Sequence, residues 1–238
     1  MLHFVSFFMK IKERINSIKL QDFCFQKSCI ICGKISQNQI CLNCKNRIKK
    51  YEKQNLITIN KYNQLFFHCG KIYFGNLFYL FEYKGLIRKI ILNYKFHNKS
   101  FFCNFFAKLL LNCKKTYGLF SFYDIIIPVP MEKEKMLQRG YNQAELITSI
   151  ICKNTKILNG NSFIKKIKKT KIQSSLNLNQ RKENIKNAFY VNDKNALKGK
   201  KIIIFDDICT TGNTVNEISR ILKMSGAREI LVIVLAKD

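Results

Sequence analysis

Lys200-Lys-Ile-Ile-Ile-Phe-Asp-Asp-Ile-Cys-Thr-Thr-Gly-Asn-Thr214 is the stretch from which the fold can be read. An apolar, β-rich run from Lys200 to Phe205 ends on the paired acids Asp206 and Asp207. Asn213 to Met224 then carries Val215, Ile218, Ile221 and Leu222 at helical spacing, Gly226 stops the helix, and Ile230 to Leu235 is a second apolar run. Strand, helix and strand joined by short loops make a βαβ unit. The fold class predicted is therefore α/β, with a parallel sheet flanked by helices.

The loop of that unit carries chemistry. At the carboxyl end of a parallel strand, a tight turn followed by the first turn of a helix offers amide groups without intrahelical partners, and the helix dipole adds positive potential. Thr210, Thr211 and Thr214 contribute hydroxyls, and Gly212 lets the backbone close around an anion. Adjacent carboxylates repel a phosphate, so Asp206 and Asp207 are expected to be exposed at the strand end and to face the vicinal hydroxyls of a sugar or a bound Mg2+. The ligand implied is a 5-phosphorylated ribose. Neither GxxxxGK[ST] nor GxGxxG is present, which excludes the Walker and dinucleotide loops. An acidic turn that merely caps a helix would leave the repeated threonines and the glycine without a reason.

Nearer the amino terminus, Cys29-Ile-Ile-Cys32-Gly33 is followed after eight residues by Cys41-Leu-Asn-Cys44. Two such thiolate pairs satisfy the tetrahedral preference of Zn2+ and leave no open position, so Cys29, Cys32, Cys41 and Cys44 read as a structural zinc site; a redox pair or a chance spacing is the competing reading. So short a unit has no hydrophobic core of its own, and the metal would fold it. His68-Cys69 is a weaker ligand candidate, and Cys24 lies outside the spacing. Cys103, Cys113, Cys152 and Cys209 follow no pattern and are expected to be small buried apolar residues.

Between these ends, residues 45–70 are rich in Lys and Asn and read as a connection. Ile72–Tyr83 is strand-like; Gly85–Leu92, Phe101–Leu111 and Ala144–Cys152 are helical, the second with Phe102, Phe105, Phe106 and Leu109 on one face; Asp124–Pro130 is a short buried strand. Residues 1–28 form an amino-terminal extension, with Ile11, Ile15, Ile18 and Leu20 at near-helical spacing and Met9 as an alternative start. Its charges follow the apolar run instead of preceding it, which is the wrong order for a secretory signal, so a cytoplasmic location is expected. No stretch approaches the roughly 18 apolar residues of a membrane span.

The 238 residues carry 42 basic against 15 acidic side chains, for a net charge of +27. That favours polyanionic partners. Lys supplies 35 of the 42 and Arg 7, however, as a coding sequence rich in A and T would also produce. Lys165, Lys166, Lys168, Lys169 and Lys171 lie within seven residues. Such a run, with Phe163 beside it, could track a nucleic acid backbone, or it is a solvated loop in a lysine-rich chain.

Asp206 to Thr214 resembles the phosphoribosyl pyrophosphate motif of type I phosphoribosyltransferases, and the chain from about Cys29 onward resembles the ComF family, named after a protein of bacterial DNA competence. Four further blocks carry this resemblance: the four-cysteine module; Tyr83-Lys-Gly-Leu-Ile-Arg88 with Lys95-Phe96; Asp124-Ile-Ile-Ile-Pro-Val-Pro130 with Arg139-Gly-Tyr-Asn-Gln-Ala-Glu145; and Thr170, Gln173, Arg181, Asn184 and Phe189. The chain departs from the family in having Lys165-Lys-Ile-Lys-Lys169 where relatives usually carry arginine before the Thr and Gln, and in lacking a short proline-containing lead before Cys29.

The resemblance implies a type I phosphoribosyltransferase-like domain over 61–238 and a small zinc-binding module with its linker over 29–60. It implies that Asp206 and Asp207 hold ribose hydroxyls, that Thr210, Thr211, Gly212 and Thr214 hold the 5-phosphate, and that Arg139 and Gly140 close the pyrophosphate loop. Residues 155–190 would form the hood. Implied ligands and partners are Zn2+, Mg2+ with phosphoribosyl pyrophosphate or a related phosphosugar, single-stranded DNA at the five lysines, and DNA-uptake or recombination proteins. Two functions follow: a DNA-uptake factor of natural transformation, or a working phosphoribosyltransferase that joins ribose 5-phosphate to an acceptor and releases pyrophosphate. No residue offers itself as general base.

Overall fold

A computed structural model describes residues 28–58, 71–96, 100–168, 170 and 178–238. The helix expected at Ile11–Leu20, together with Cys24, His68, Cys69, Lys169, Lys171 and Gln173, lies outside these residues. The chain divides between Lys50 and Tyr51 into two compact units. In the first, the cysteine-bearing turns lead into helix α1 (Leu42–Lys49).

The second unit is built on a six-stranded sheet. Its strands are β1 (Glu52–Thr58), β2 (Asn76–Glu82), β3 (Ile125–Pro128), β4 (Leu158–Asn159), β7 (Lys201–Cys209) and β8 (Glu229–Lys237), in the order β1-β2-β8-β7-β3-β4. All neighbours are parallel except β1 and β2. Two further strands, β5 (Ile164–Lys166) and β6 (Phe189–Val191), form a separate antiparallel pair in the segment expected as the hood, and a short helix, α7 (Leu178–Ile185), lies between them in the chain.

The central strands are apolar along their middles, Ile202–Phe205 in β7 and Ile230–Ala236 in β8, because both faces of the sheet are covered there. Ile202, Ile204, Val232, Val234, Ile125 and Ile127 belong to one buried cluster with Val215, Ile218 and Leu222 of helix α8 (Asn213–Met224). Ile203, Phe205, Leu231 and Ile233 alternate with them and are fully buried outside that cluster. Helices α2 (Gly85–Phe96), α3 (Phe102–Asn112), α4 (Lys114–Phe122), α5 (Lys133–Arg139) and α6 (Gln143–Asn154) come from the crossovers between β2 and β4.

The βαβ reading holds, and α8 has the expected bounds. Other expectations are corrected. Residues 45–70 are not merely a connection, since α1 extends into them and β1 joins the sheet, so the main sheet starts at Glu52, ahead of the boundary expected at 61. Helix α4 has no counterpart in the sequence reading. The buried face of α3 is Phe102, Cys103, Phe106, Ala107 and Leu110, while Phe105 and Leu109 sit at its margin. Cys103, Cys113 and Cys209 are buried as expected, and Cys152 is half-buried. Among the described residues no helix is long and apolar enough to cross a membrane.

Candidate functional site

From β3 the chain runs outward to β4, and from β7 it runs the other way, to β8. Loops leaving two adjacent parallel strands in opposite directions open a crevice at their carboxyl ends, where open α/β sheets bind ligands. A cavity of about 340 Å³ sits there. One wall is Asp206 to Val215; the other includes Val129, Glu132, Lys135, Arg139 and Gln143, with Lys95 and Lys166 entering from α2 and β5. Of the residues singled out for the phosphosugar, all but Gly140 line it.

The loop after β7 owes its shape to Gly212, which takes φ 75° at the amino cap of α8 and accepts from Asn216 N–H at 2.9 Å. Any residue with a Cβ is strained there. The amino end of α8, from Asn213 to Val215, thereby opens onto the cavity. On the opposite wall, Asn142 caps α6: its side chain accepts from Ala144 N–H at 3.1 Å and donates to Val129 C=O at 3.1 Å, tying the helix to the end of β3. Gly140 ends α5, and Arg139 Nη1 lies 3.4 Å from Gln143 Oε1 with its guanidinium 4.8 Å above the Phe96 ring.

The acids are not the exposed pair the sequence suggested. Asp207 is buried, and its Oδ1 is 2.9 Å from Lys95 Nζ. Asp206 accepts from the Asp207 backbone N–H at 2.8 Å. Removal from water, and then the adjacent Asp207 charge, push the Asp206 carboxyl well above the ordinary carboxylate range, while Lys95 pulls it back. Across the cavity, Glu132 Oε1 receives Lys166 Nζ at 2.7 Å, Thr170 Oγ1 at 2.6 Å and Thr170 N–H at 3.1 Å. Burial raises the Glu132 carboxyl, but the Lys166 and Thr170 bonds outweigh it and hold it at about 2. Glu132 and the inward role of Lys95 escaped the sequence reading. Asn142 was legible in principle, as an N-cap residue with Glu145 three positions on.

In the first unit the sulfur atoms of Cys29, Cys32, Cys41 and Cys44 lie within 4.8 Å of one another, and Cys32 and Cys41 are 3.8 Å apart. Metal–sulfur bonds of about 2.3 Å in a tetrahedron put sulfurs about 3.8 Å apart, so one ion can be shared. Gly33 takes φ 75° and donates to Cys29 C=O at 2.8 Å, closing the first knuckle. Burial pushes the Cys29 thiol up, but backbone N–H groups of Cys41, Cys32 and Ile31 bring it down to about 6, whereas burial and the neighbouring thiols raise Cys44.

Comparison with known proteins places this arrangement. Competence protein F of Haemophilus influenzae is 31% identical over 228 residues, which cover 90% of this chain and 98% of that one. The chain belongs to the ComF family. DNA utilization protein YhgH of Shigella flexneri is 30% identical over 63% of this chain and 67% of its own. The Phosphoribosyl transferase domain family matches residues 147–238, which hold β7, α8 and β8. A hypoxanthine phosphoribosyl transferase of Trypanosoma cruzi aligns at 14% identity over 60% of this chain and 67% of that one, with a TM-score of 0.35.

In this ComF-family chain the hood lysines divide. Lys165 and Lys168 are exposed, and Lys165 Nζ stands 5.1 Å from the centroid of the half-exposed Tyr190 ring directly across the strand pair. Lys166 instead turns into the cavity to Glu132, with only 10% of its side chain exposed. Phe163 packs against the core cluster. Thr170 is engaged by Glu132, and Phe189 is part of the core.

A stability test follows from the raised Asp206 carboxyl. The folded chain holds that proton more tightly than the unfolded chain, whose aspartate titrates at about 3.9, so stability falls as pH rises from about 4 through the folded value. Asp206→Asn is expected to raise Tm by about 2–4 °C at neutral pH, equivalent to about 1 kcal/mol in a chain of this size. The gain should vanish below about pH 4, where both states are protonated. Thermal melts from about pH 3 to 9, reaching past both titrations, check it; an equal or lower Tm for the variant at the alkaline end contradicts it.

Proposed function

We propose that this ComF-family protein binds phosphoribosyl pyrophosphate or a related phosphosugar in the cavity, binds single-stranded DNA along the hood, and acts in natural transformation in the cytoplasm. The observation that carries the reading is the convergence, at one crevice, of a helix amino end with Thr210, Thr211, Gly212 and Thr214, the acids Asp206 and Asp207, and the Arg139 loop. A dipole for a phosphate, acceptors for a diol and a guanidinium for a second anion are the groups a phosphorylated ribose with a polyanionic substituent requires. The names of the relatives, Competence protein F and DNA utilization protein, support the DNA reading.

Mg2+ is proposed to enter with the ligand, since the Asp206 carboxyl and phosphate oxygens are donors of its customary kind, while the Asp207 carboxylate is held by Lys95. It would offset the charge of the pyrophosphoryl group. The competing function, a transferase with an acceptor, finds less support. Of the three carboxylates lining the cavity, Glu132 is committed to Lys166 and Thr170 and Asp207 to Lys95, so a general base would have to be Asp206, which accepts from the Asp207 backbone N–H. Zinc is proposed for Cys29, Cys32, Cys41 and Cys44, and DNA-uptake or recombination proteins as partners.

Replacing Asp206 and Asp207 together with Ala is expected to abolish phosphoribosyl pyrophosphate binding in a calorimetric titration while the chain stays folded; undiminished affinity moves the ligand elsewhere. For DNA, Gln at Lys165, Lys168, Lys169 and Lys171 should weaken binding of unrelated single strands and flatten the log–log salt dependence by about 0.7 for each phosphate no longer neutralised. Negligible binding of single strands by the intact protein at low salt would overturn the DNA reading in favour of the transferase. Metal analysis should find about one Zn2+ per chain, and Cys41→Ser should lose it with collapse of the first unit alone. A fully folded, metal-free protein contradicts the zinc site.

A further inference from the structure

Lys95 sits at the end of α2, and its ammonium is held 2.9 Å from Asp207 Oδ1 inside the cavity, with 19% of the lysine side chain and 9% of the aspartate exposed. A buried ion pair is weak evidence for a stabilising purpose, since desolvation of both charges offsets most of their attraction. Yet the backbone around this lysine is fastened with unusual thoroughness to the opposite wall. Gln143 Nε2 points at Lys95 C=O from 3.5 Å, the Tyr94 hydroxyl donates to Gln143 C=O at 2.9 Å, and the Tyr141 hydroxyl donates to Tyr94 C=O at 2.5 Å. The rings of Tyr94 and Tyr141 stack at 5.8 Å, and Arg139 lies over Phe96. Both neighbours of Lys95 are thus tied to the Arg139–Gln143 segment, so its position is set by the same segment that carries the Arg139 cation.

This arrangement answers an electrostatic difficulty. A carboxylate that accepts hydrogen bonds from a sugar diol must coexist with the phosphates of the same ligand, and adjacent acids make the repulsion worse. A cation at the carboxylate removes it. We infer that Lys95 is a ligand-positioning residue: it fixes Asp207 as an acceptor for sugar hydroxyls and supplies beside it, from the chain itself, the positive charge that a divalent ion would otherwise have to bring. The inference rests on the phosphosugar reading of the cavity and adds to it a residue with no role so far assigned.

The test separates a ligand role from a structural one through the metal. Taking away the ammonium in Lys95→Met leaves the Asp207 carboxylate open to a hard cation, which Mg2+ can supply from solution. Phosphoribosyl pyrophosphate is titrated calorimetrically into wild type, Lys95→Met and Lys95→Arg, once in EDTA and once in saturating Mg2+. In EDTA the Met variant should bind about tenfold or more weakly than wild type, Mg2+ should bring it to within about threefold, and Arg should stay near wild type in both. If Lys95→Met does not fold, Lys95→Gln, which keeps a donor to Asp207 but no charge, carries the same expectations. Wild-type affinity of the variant in EDTA, or a loss that Mg2+ does not lessen, overturns the role of Lys95 alone. A wild-type protein that binds no phosphoribosyl pyrophosphate in either condition overturns the phosphosugar reading, and the role of Lys95 with it.

Discussion

The site depends on a constraint of connectivity, the reversal of direction between β3 and β7. Two parallel strands lie side by side, and the chain leaves their carboxyl ends toward opposite edges of the sheet. Neither of these two connections then crosses the gap between them. The loop that starts at Val129 faces, across the crevice, the end of β7 with its acids and the loop that follows from Thr210, and Lys95 and Lys166 are brought over them by α2 and β5. The register of β3 against β7 sets Pro128, the end of β3, opposite Phe205, so β7 continues past it to Cys209 and carries Asp206 and Asp207 alongside the loop that leaves β3.

Within this frame the charges are arranged in pairs on separate walls. Asp207 has Lys95; Glu132 has Lys166 at 2.7 Å and Lys135 at 3.4 Å. The pairs of Lys95 and Lys166 join segments far apart in the chain, so the cavity wall is also a set of tertiary ties between α2, α5, β5 and β7. A ligand that brings negative charge does not meet bare acids. It meets carboxylates already neutralised, a helix amino end, and Arg139, which is occupied by an aromatic face and an amide instead of an acid. The cavity is therefore prepared for an anion even though three carboxylates line it.

How much of this could be read in the sequence follows from the kind of signal each part leaves. The βαβ unit is legible because a strand buried on both faces must be apolar throughout, and because α8 shows its buried residues, Val215, Ile218 and Leu222, at helical spacing and then meets Gly226. The loop between them is legible because acids, threonines and a glycine must be contiguous to surround one phosphosugar. The polar edge strand β1 and helix α1 left no apolar pattern to find. Lys95, Glu132 and the inward turn of Lys166 are products of tertiary pairing: each looks like a surface charge until its partner is known. The expected exposure of Asp207 failed for the same reason, since its cover comes from a helix more than a hundred residues away.

The hood strand pair is a thin, two-sided wall. Successive residues of a strand face opposite ways, so Lys166 and Phe189 belong to the interior while Lys165 and Tyr190, one position along on each strand, belong to the outside. What the protein shows to its surroundings can consequently be rewritten residue by residue without touching what it does within. Substitution is free to proceed on the outer side of the pair, where a change alters one exposed side chain, while a shift of register by one residue would exchange the two sides.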